Sequence, residues 1–269
     1  MKKIILLTAA GLLCCACSVK DHPVLPDDGL IRFYAEGLNT TVSTKTAAVT
    51  SLDSFNVIAT TGTAGSETQA WGPVQFSGNP YSADKYWPAI DPKYHFYAAN
   101  TDLSFSAQGC EIPVADASKD IVAAYLPDPS YKNSNNLTFH HIFTRIGTII
   151  VKSPSGYQIN DVSLALSAPV SGRYNVSTGT WTPGTSQAQS LKVDSNDVYV
   201  VPGTYTLTVN YTLSKGDYTE SFSKSGSVTL EKGKINKIST TVPEGSATEI
   251  RFSVTIDPWT EIELTPELQ

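Results

Sequence analysis

Three of the chain's four cysteines, Cys14, Cys15 and Cys17, stand together behind the apolar run Ile4 to Leu13, and the fourth is Cys110. A disulfide framework needs cysteines spread along the folded chain, so the cluster is not a staple. Cys110, in "SAQGCEIPV", has no histidine near it in sequence and reads as a small core hydrophobe rather than a nucleophile. His140 and His141 are adjacent, and neighbours in a strand point to opposite faces, which keeps the pair from converging on one metal ion. Asp84, Asp91, Asp116, Asp120 and Asp128 sit in turn-like settings, where aspartate bonds its own backbone; a glycosidase-like carboxylate pair among them is the weaker reading. "GTAGSET" has neither a phosphate-loop lysine nor a helix pattern behind it. These residues point to no catalytic site, no metal site and no cofactor, and the chain is not expected to be an enzyme.

The cysteine cluster has a different chemistry. Lys2 and Lys3 precede the apolar stretch "IILLTAAGLL", and small residues follow, which is the layout of a secretory signal peptide. The stretch is shorter than the roughly 20 residues that cross a bilayer. Cys14-Cys15-Ala16-Cys17 resembles a bacterial lipobox, with Ala16 as the small residue before the cut and Cys17 as the acylated new N-terminus. Cys15, behind Cys14, fits less well, and a plain secretory signal with incidental cysteines is the alternative. Acyl chains contribute about 0.8 kcal/mol per buried CH₂, so a lipidated Cys17 would hold the chain at a membrane without a spanning helix. Residues 1–16 are read as the signal and 17–29 as a Pro- and Asp-containing tether.

What must be positioned beyond the tether is a chain of about 250 residues, long enough for one large β-domain or two small ones. Only 16% of residues are charged and the net charge is −6, so no basic patch is available to neutralise phosphates and nucleic acid is excluded as a partner. Thr, Ser, Val and Tyr favour strands over helices. "LIRFYAE" alternates with Ile31, Phe33 and Ala35 on one side; Phe55, Val57 and Ala59 share a face, as do Tyr94, Phe96 and Ala98. "YTLTVNYTL" puts Tyr205, Leu207, Val209, Tyr211 and Leu213 inward, and the last strand, "EIRFSVTID", does the same with Ile250, Phe252, Val254 and Ile256. "EKGK" at 231–234 is expected to close a hairpin between "GSVTL" and "INKISTTV". Many short strands separated by turns argue for β-sandwiches, with a boundary in "PDPSYKNSNN" that divides the chain into units 30–135 and 136–269. The polar stretch between Gly37 and Ser54 is unusually long for a compact domain, a pattern often tied to function.

Trp71, Tyr81, Tyr86, Trp87, Tyr174 and Trp181 would suit stacking on sugars if they formed one exposed platform; capping a sandwich core is the alternative use of such residues.

Taken in order, "KYWPAIDPKYHFYAA", "KDIVAAY", "LTFHHIFTRIGTIIV" and "FSVTIDPW" resemble the Mfa-like group of the fimbrillin family of Bacteroidetes, over nearly the whole chain beyond the tether. The resemblance implies an all-β fold of two tandem transthyretin-like β-sandwich domains. It implies a structural or adhesive subunit of a cell-surface fimbria, exported as a lipid-anchored precursor to the outer membrane. In that family a trypsin-like protease cuts in the long loop, the first strand is lost, and a strand from another pilin subunit fills the groove. Carried over, the cut follows Lys45, the only basic residue between Arg32 and Lys85, where the family often has Arg; Thr46 becomes the N-terminus and Ile31, Phe33 and Ala35 leave. Removing a strand uncovers apolar neighbours and unpaired backbone groups, and an incoming strand restores both. After Ile256 only "DPWTEIELTPELQ" remains, with Ile262 and Leu264 in short alternation, which favours a tip or accessory subunit over a stalk subunit. Packing of Trp259 over a sandwich end, with the tail unused, is the alternative, as is a surface lipoprotein that binds a glycan or protein and never polymerises.

Overall fold

The computed structural model describes residues 30–35, 52–63, 65–78, 81–87, 93–128, 137–245, 248–259 and 262–265. The strands in the first part of the chain are β1 (Leu30–Ala35), β2 (Ser54–Thr61), β3 (Thr68–Ser77), β4 (Tyr81–Tyr86), β5 (Tyr94–Ala99), β6 (Ser104–Ser106), β7 (Gly109–Val114), β8 (Val122–Leu126) and β9 (Leu137–His141). They continue with β10 (Thr144–Lys152), β11 (Gln158–Pro169), β12 (Gly172–Asn175), β13 (Thr180–Pro183), β14 (Ser186–Leu191), β15 (Asp194–Val200) and β16 (Gly203–Lys215). The last four are β17 (Tyr218–Leu230), β18 (Lys234–Thr241), β19 (Ser253–Pro258) and β20 (Ile262–Thr265). No helix occurs among the described residues, and the all-β class expected from composition holds.

The first unit closes into a barrel in the order β1-β20-β9-β8-β5-β2-β3-β4, so the layers expected there join through a continuous ladder. Two of its members, β9 and β20, lie beyond residue 135 in sequence, and β20 returns from the far end of the chain. The barrel interior is the inward parity of each strand: Phe55, Val57 and Ala59 of β2, Phe96 and Ala98 of β5, Val122 and Ala124 of β8, and Leu137 and Phe139 of β9.

The second unit is a sandwich of sheets β15-β10-β18-β19 and β14-β11-β16-β17. Its core interleaves Ile146, Ile149 and Ile238 from one sheet with Leu164, Leu166, Leu207, Val209, Tyr211 and Leu213 from the other. The alternation expected in β16 is realised, because Leu207, Val209, Tyr211 and Leu213 are all buried while Thr206 and Asn210 are exposed or partly so.

Two expectations are corrected. The turn at 231–234 does not close a hairpin: β17 pairs with β16, whereas β18 pairs with β10 and β19. Val228 and Leu230 must face Ile238 across the core, so the chain there crosses from one layer to the other. In the last long strand Ile250 is buried and Phe252 and Val254 pack on the core, but Ile256 is 45% exposed. It lies on an edge strand opposite Asn236, whose amide donates to Thr144 Oγ1 and to the Lys234 carbonyl, beside a polar network and not an apolar layer.

A third core joins the two units. Ile58, Tyr97, Ala99 and Ala123 on the outer face of the barrel pack against Cys110, Ile112 and Tyr174 of the small sheet β13-β12-β7-β6, together with Phe143, Tyr199 and Trp259. This explains why β5 is buried along its whole length: its two faces serve two cores.

Candidate strand-exchange groove

β1 runs antiparallel between β4 and β20. Leu30 pairs with Tyr86, Arg32 with Ser82 and Phe33 with Tyr81, with a register irregularity between Leu30 and Arg32; Tyr34 pairs with Thr265 and Ala35 with Leu264. This ladder is short beside the β16–β17 hairpin, which stays in register from Gly203–Leu230 to Lys215–Tyr218. The anchoring of β1 is therefore mostly apolar. Ile31 and Phe33 are each 1% exposed. The Phe33 ring meets Phe55 at 5.8 Å, Phe76 at 5.3 Å and Phe96 at 6.0 Å between centroids, all edge-to-face. Burial of such a side chain contributes about 1.5–3 kcal/mol, and each aromatic pair about 0.5–1.5 kcal/mol more. Taking β1 away would expose the faces of Phe55, Phe76 and Phe96 and the facing backbone edges of β4 and β20.

β20 occupies the next position. Ile262 pairs with Phe139, Glu263 with Thr138 and Leu264 with Leu137 of β9, so the short alternation of the tail forms a strand of the first barrel. Pro258 ends β19, and Trp259, 6% exposed, stacks on His141 at 3.9 Å and on Tyr199 at 5.7 Å. His141 Nδ1 lies 2.8 Å from Asp120 Oδ2, and both side chains are almost completely buried. Reading Asp120 as a turn residue missed this pair, which is hidden in sequence because its members are brought together only by β8 and β9. His140 and His141 do face opposite ways, one exposed and one buried. Asp116 makes the expected local bond, accepting from Ser118 N at 2.9 Å. Burial pushes the Cys110 thiol up to about 12, consistent with a core role.

The six aromatic residues considered as a platform do not converge. Trp71 and Trp87 pack on Phe96 in the first core, Tyr81 is buried and donates to the Leu52 carbonyl, and Tyr174 and Trp181 belong to the third core, where Trp181 Nε1 donates to Ile142 O at 2.9 Å. Tyr86 alone of the six is largely exposed. Cys17, Lys45, Thr46 and Asp91 lie outside the described residues, as does the side chain of Ala35. Among the described residues no group of three or more His, Cys, Asp or Glu is placed to hold a metal ion.

A family model described as fimbrillin-like matches residues 40–259. No curated protein matches the sequence. Among solved structures, a candidate cell adhesion protein of Parabacteroides distasonis is similar, with a TM-score of 0.51 at 10% identity over 78% of this chain and 95% of that one. One of Bacteroides eggerthii gives 0.47 at 13% identity over 77% and 89%, and one of Bacteroides ovatus 0.42 at 14% over 77% and 87%. With a match that spans the barrel strands from β2 onward and the whole sandwich as far as Trp259, the chain belongs to the fimbrillin-like family.

Proposed function

We propose that the chain is an adhesive or structural subunit of a cell-surface fimbria, exported as a lipoprotein acylated at Cys17 and activated by cleavage after Lys45. Cleavage frees residues up to Lys45, β1 departs with Ile31, Phe33 and Ala35, and a strand from another subunit enters between β4 and β20. The observation that carries this reading is the seat of β1: a strand with a short ladder whose side chains Ile31 and Phe33 fill the barrel, tied to β2 by a polar segment whose only basic residue is Lys45. Any replacement must present apolar residues at alternate positions, because a slip of one residue would turn its polar face inward. Cell-surface adhesion is the setting that the family supports.

The position of β20 supports an accessory or tip role. The chain's own C-terminal strand is engaged in its own first barrel, so it completes the acceptor instead of standing free as a donor.

Incubation of the purified precursor with a trypsin-like protease tests the reading. The expected product begins at Thr46, and only that product takes up a synthetic strand peptide or polymerises. Filaments whose subunits retain Phe33 would overturn it. Metabolic labelling with a lipid probe, abolished in Cys17→Ala, tests the anchor separately.

A further inference from the structure

The outer face of the barrel carries a constellation that strand replacement does not use. Tyr97 of β5 and Tyr125 of β8 are paired in register, and their rings stack with centroids 4.8 Å apart. Tyr97 OH donates to Glu67 Oε2 at 2.5 Å, and Thr60 Oγ1 donates to the same oxygen at 3.2 Å. Burial first, and then the bond to Glu67, raises Tyr97 far above the ordinary tyrosine range, so this donor keeps its proton. Tyr125 OH lies 3.2 Å from His95 Nδ1, and His95 Nε2 lies 3.0 Å from the Gly62 carbonyl. A carbonyl only accepts, so Nε2 carries the proton and the Tyr125 hydroxyl donates to Nδ1. These bonds hold the loop between β2 and β3 against the barrel. They occupy Oε2 of Glu67, while Oε1 takes no bond from the described residues.

Beside these groups opens a cleft of about 660 Å³, whose walls include Phe105, Gln108 and Asn175. Asn175 joins distant parts of the chain: its Nδ2 donates to Gln108 O at 3.0 Å, and its Oδ1 accepts from Thr178 N at 3.0 Å and from Ser177 Oγ at 2.9 Å. The turn between β6 and β7 is thereby clipped to the turn after β12, and the walls are preformed. Ser106 Oγ donates to Gln108 Oε1 at 2.8 Å, which leaves the Gln108 amide nitrogen as a donor.

We propose that this cleft binds a saccharide, with Glu67 Oε1 and the Gln108 amide bonding its hydroxyls and Tyr125 and Phe105 offering apolar surface to its ring. Three features select this ligand class. The volume falls in the range of small-molecule clefts. The walls contain a carboxylate and no lysine or arginine, so phosphate and sulfate groups are disfavoured. An apolar ligand would leave the Glu67 carboxylate desolvated without a donor, whereas a sugar hydroxyl supplies one.

The assignment deepens the adhesive reading and rests on it for its setting. A chain that polymerises by strand replacement yet binds no saccharide would leave that reading standing and remove only the cleft. The test applies the full chain to an array of printed oligosaccharides that also carries alkylamine spots. Binding to a neutral saccharide is expected, competed by the same saccharide in solution. Glu67→Gln, which keeps an acceptor for Tyr97, and Gln108→Ala, on an exposed turn, should each weaken it about tenfold or more, while Tyr86→Ala on β4 leaves it unchanged. No saccharide bound, binding confined to the amines, or binding unaffected by both cleft variants would overturn the proposal.

Discussion

Phe33 meets phenylalanines from β2, β3 and β5, so one side chain of β1 ties three strands together. Phe33→Ala is expected to cost about 3–5 kcal/mol, read as a lower midpoint in urea unfolding. The same substitution in the precursor should speed release of β1 after proteolysis. Cys110 gives a prediction in pH. Its folded-state value is raised from 9.0 to about 12 by burial, so the native state keeps a proton that the unfolded state has lost. The stability it contributes is complete below pH 9.0 and falls away as pH rises toward about 12. Cys110→Ala should flatten that part of the alkaline stability curve, and the wild-type thiol should react with a disulfide reagent only on unfolding. Ile31, Phe33 and Cys110 were legible as core residues from alternation and from the absence of a catalytic neighbour. Asp120 and His141 were not, because their pairing depends on two strands meeting over a buried tryptophan.

At the scale of elements, strands were readable and their partners were not. The two-residue period of β16 identified its buried face, but a period does not say which strand lies alongside, and turn residues occur both in hairpins and in layer crossings. The tight hairpin is at Lys215–Tyr218, where Gly216 takes φ +60°, whereas Gly233, with φ +63°, serves the crossing between layers. Gly226 of β17 has a different purpose: a Cβ there would lie 2.8 Å from Phe252 Cε2 and 3.0 Å from Ile250 O. Gly226→Val should therefore destabilise by about 1–3 kcal/mol by pushing residues 250–252 off the sandwich, measurable as faster amide exchange in β19. β20 makes the prediction most relevant to assembly. A chain ending before Ile262 leaves edges open on β9 and β1, so β1 amides should exchange faster and the protein should self-associate as monitored by light scattering.

For the whole molecule, the third core and the return of β20 make the two units interdependent. Fragments 30–135 and 136–269 made separately should each lack fixed structure by far-ultraviolet circular dichroism and amide NMR, because the first lacks β9 and β20 and both lose part of the shared core. Mixing them should restore the spectrum of the intact chain. The amino-acid sequence alone determined the all-β class, the inward faces of β1, β2, β5 and β16, and the family, since these depend on local periodicity, composition and ordered motifs. It also determined the pieces of the exchange proposal, a cysteine behind a signal-like run and a lone lysine in a polar stretch. Only the tertiary structure decided that the tail strand sits beside β1, that the expected aromatic platform is divided between two cores, and that Glu67, Tyr97, Tyr125 and Asn175 share one cleft. The reason is physical: side-chain alternation specifies which face of a strand is buried, whereas neighbours separated by many tens of residues are chosen by the packing of the whole chain at once.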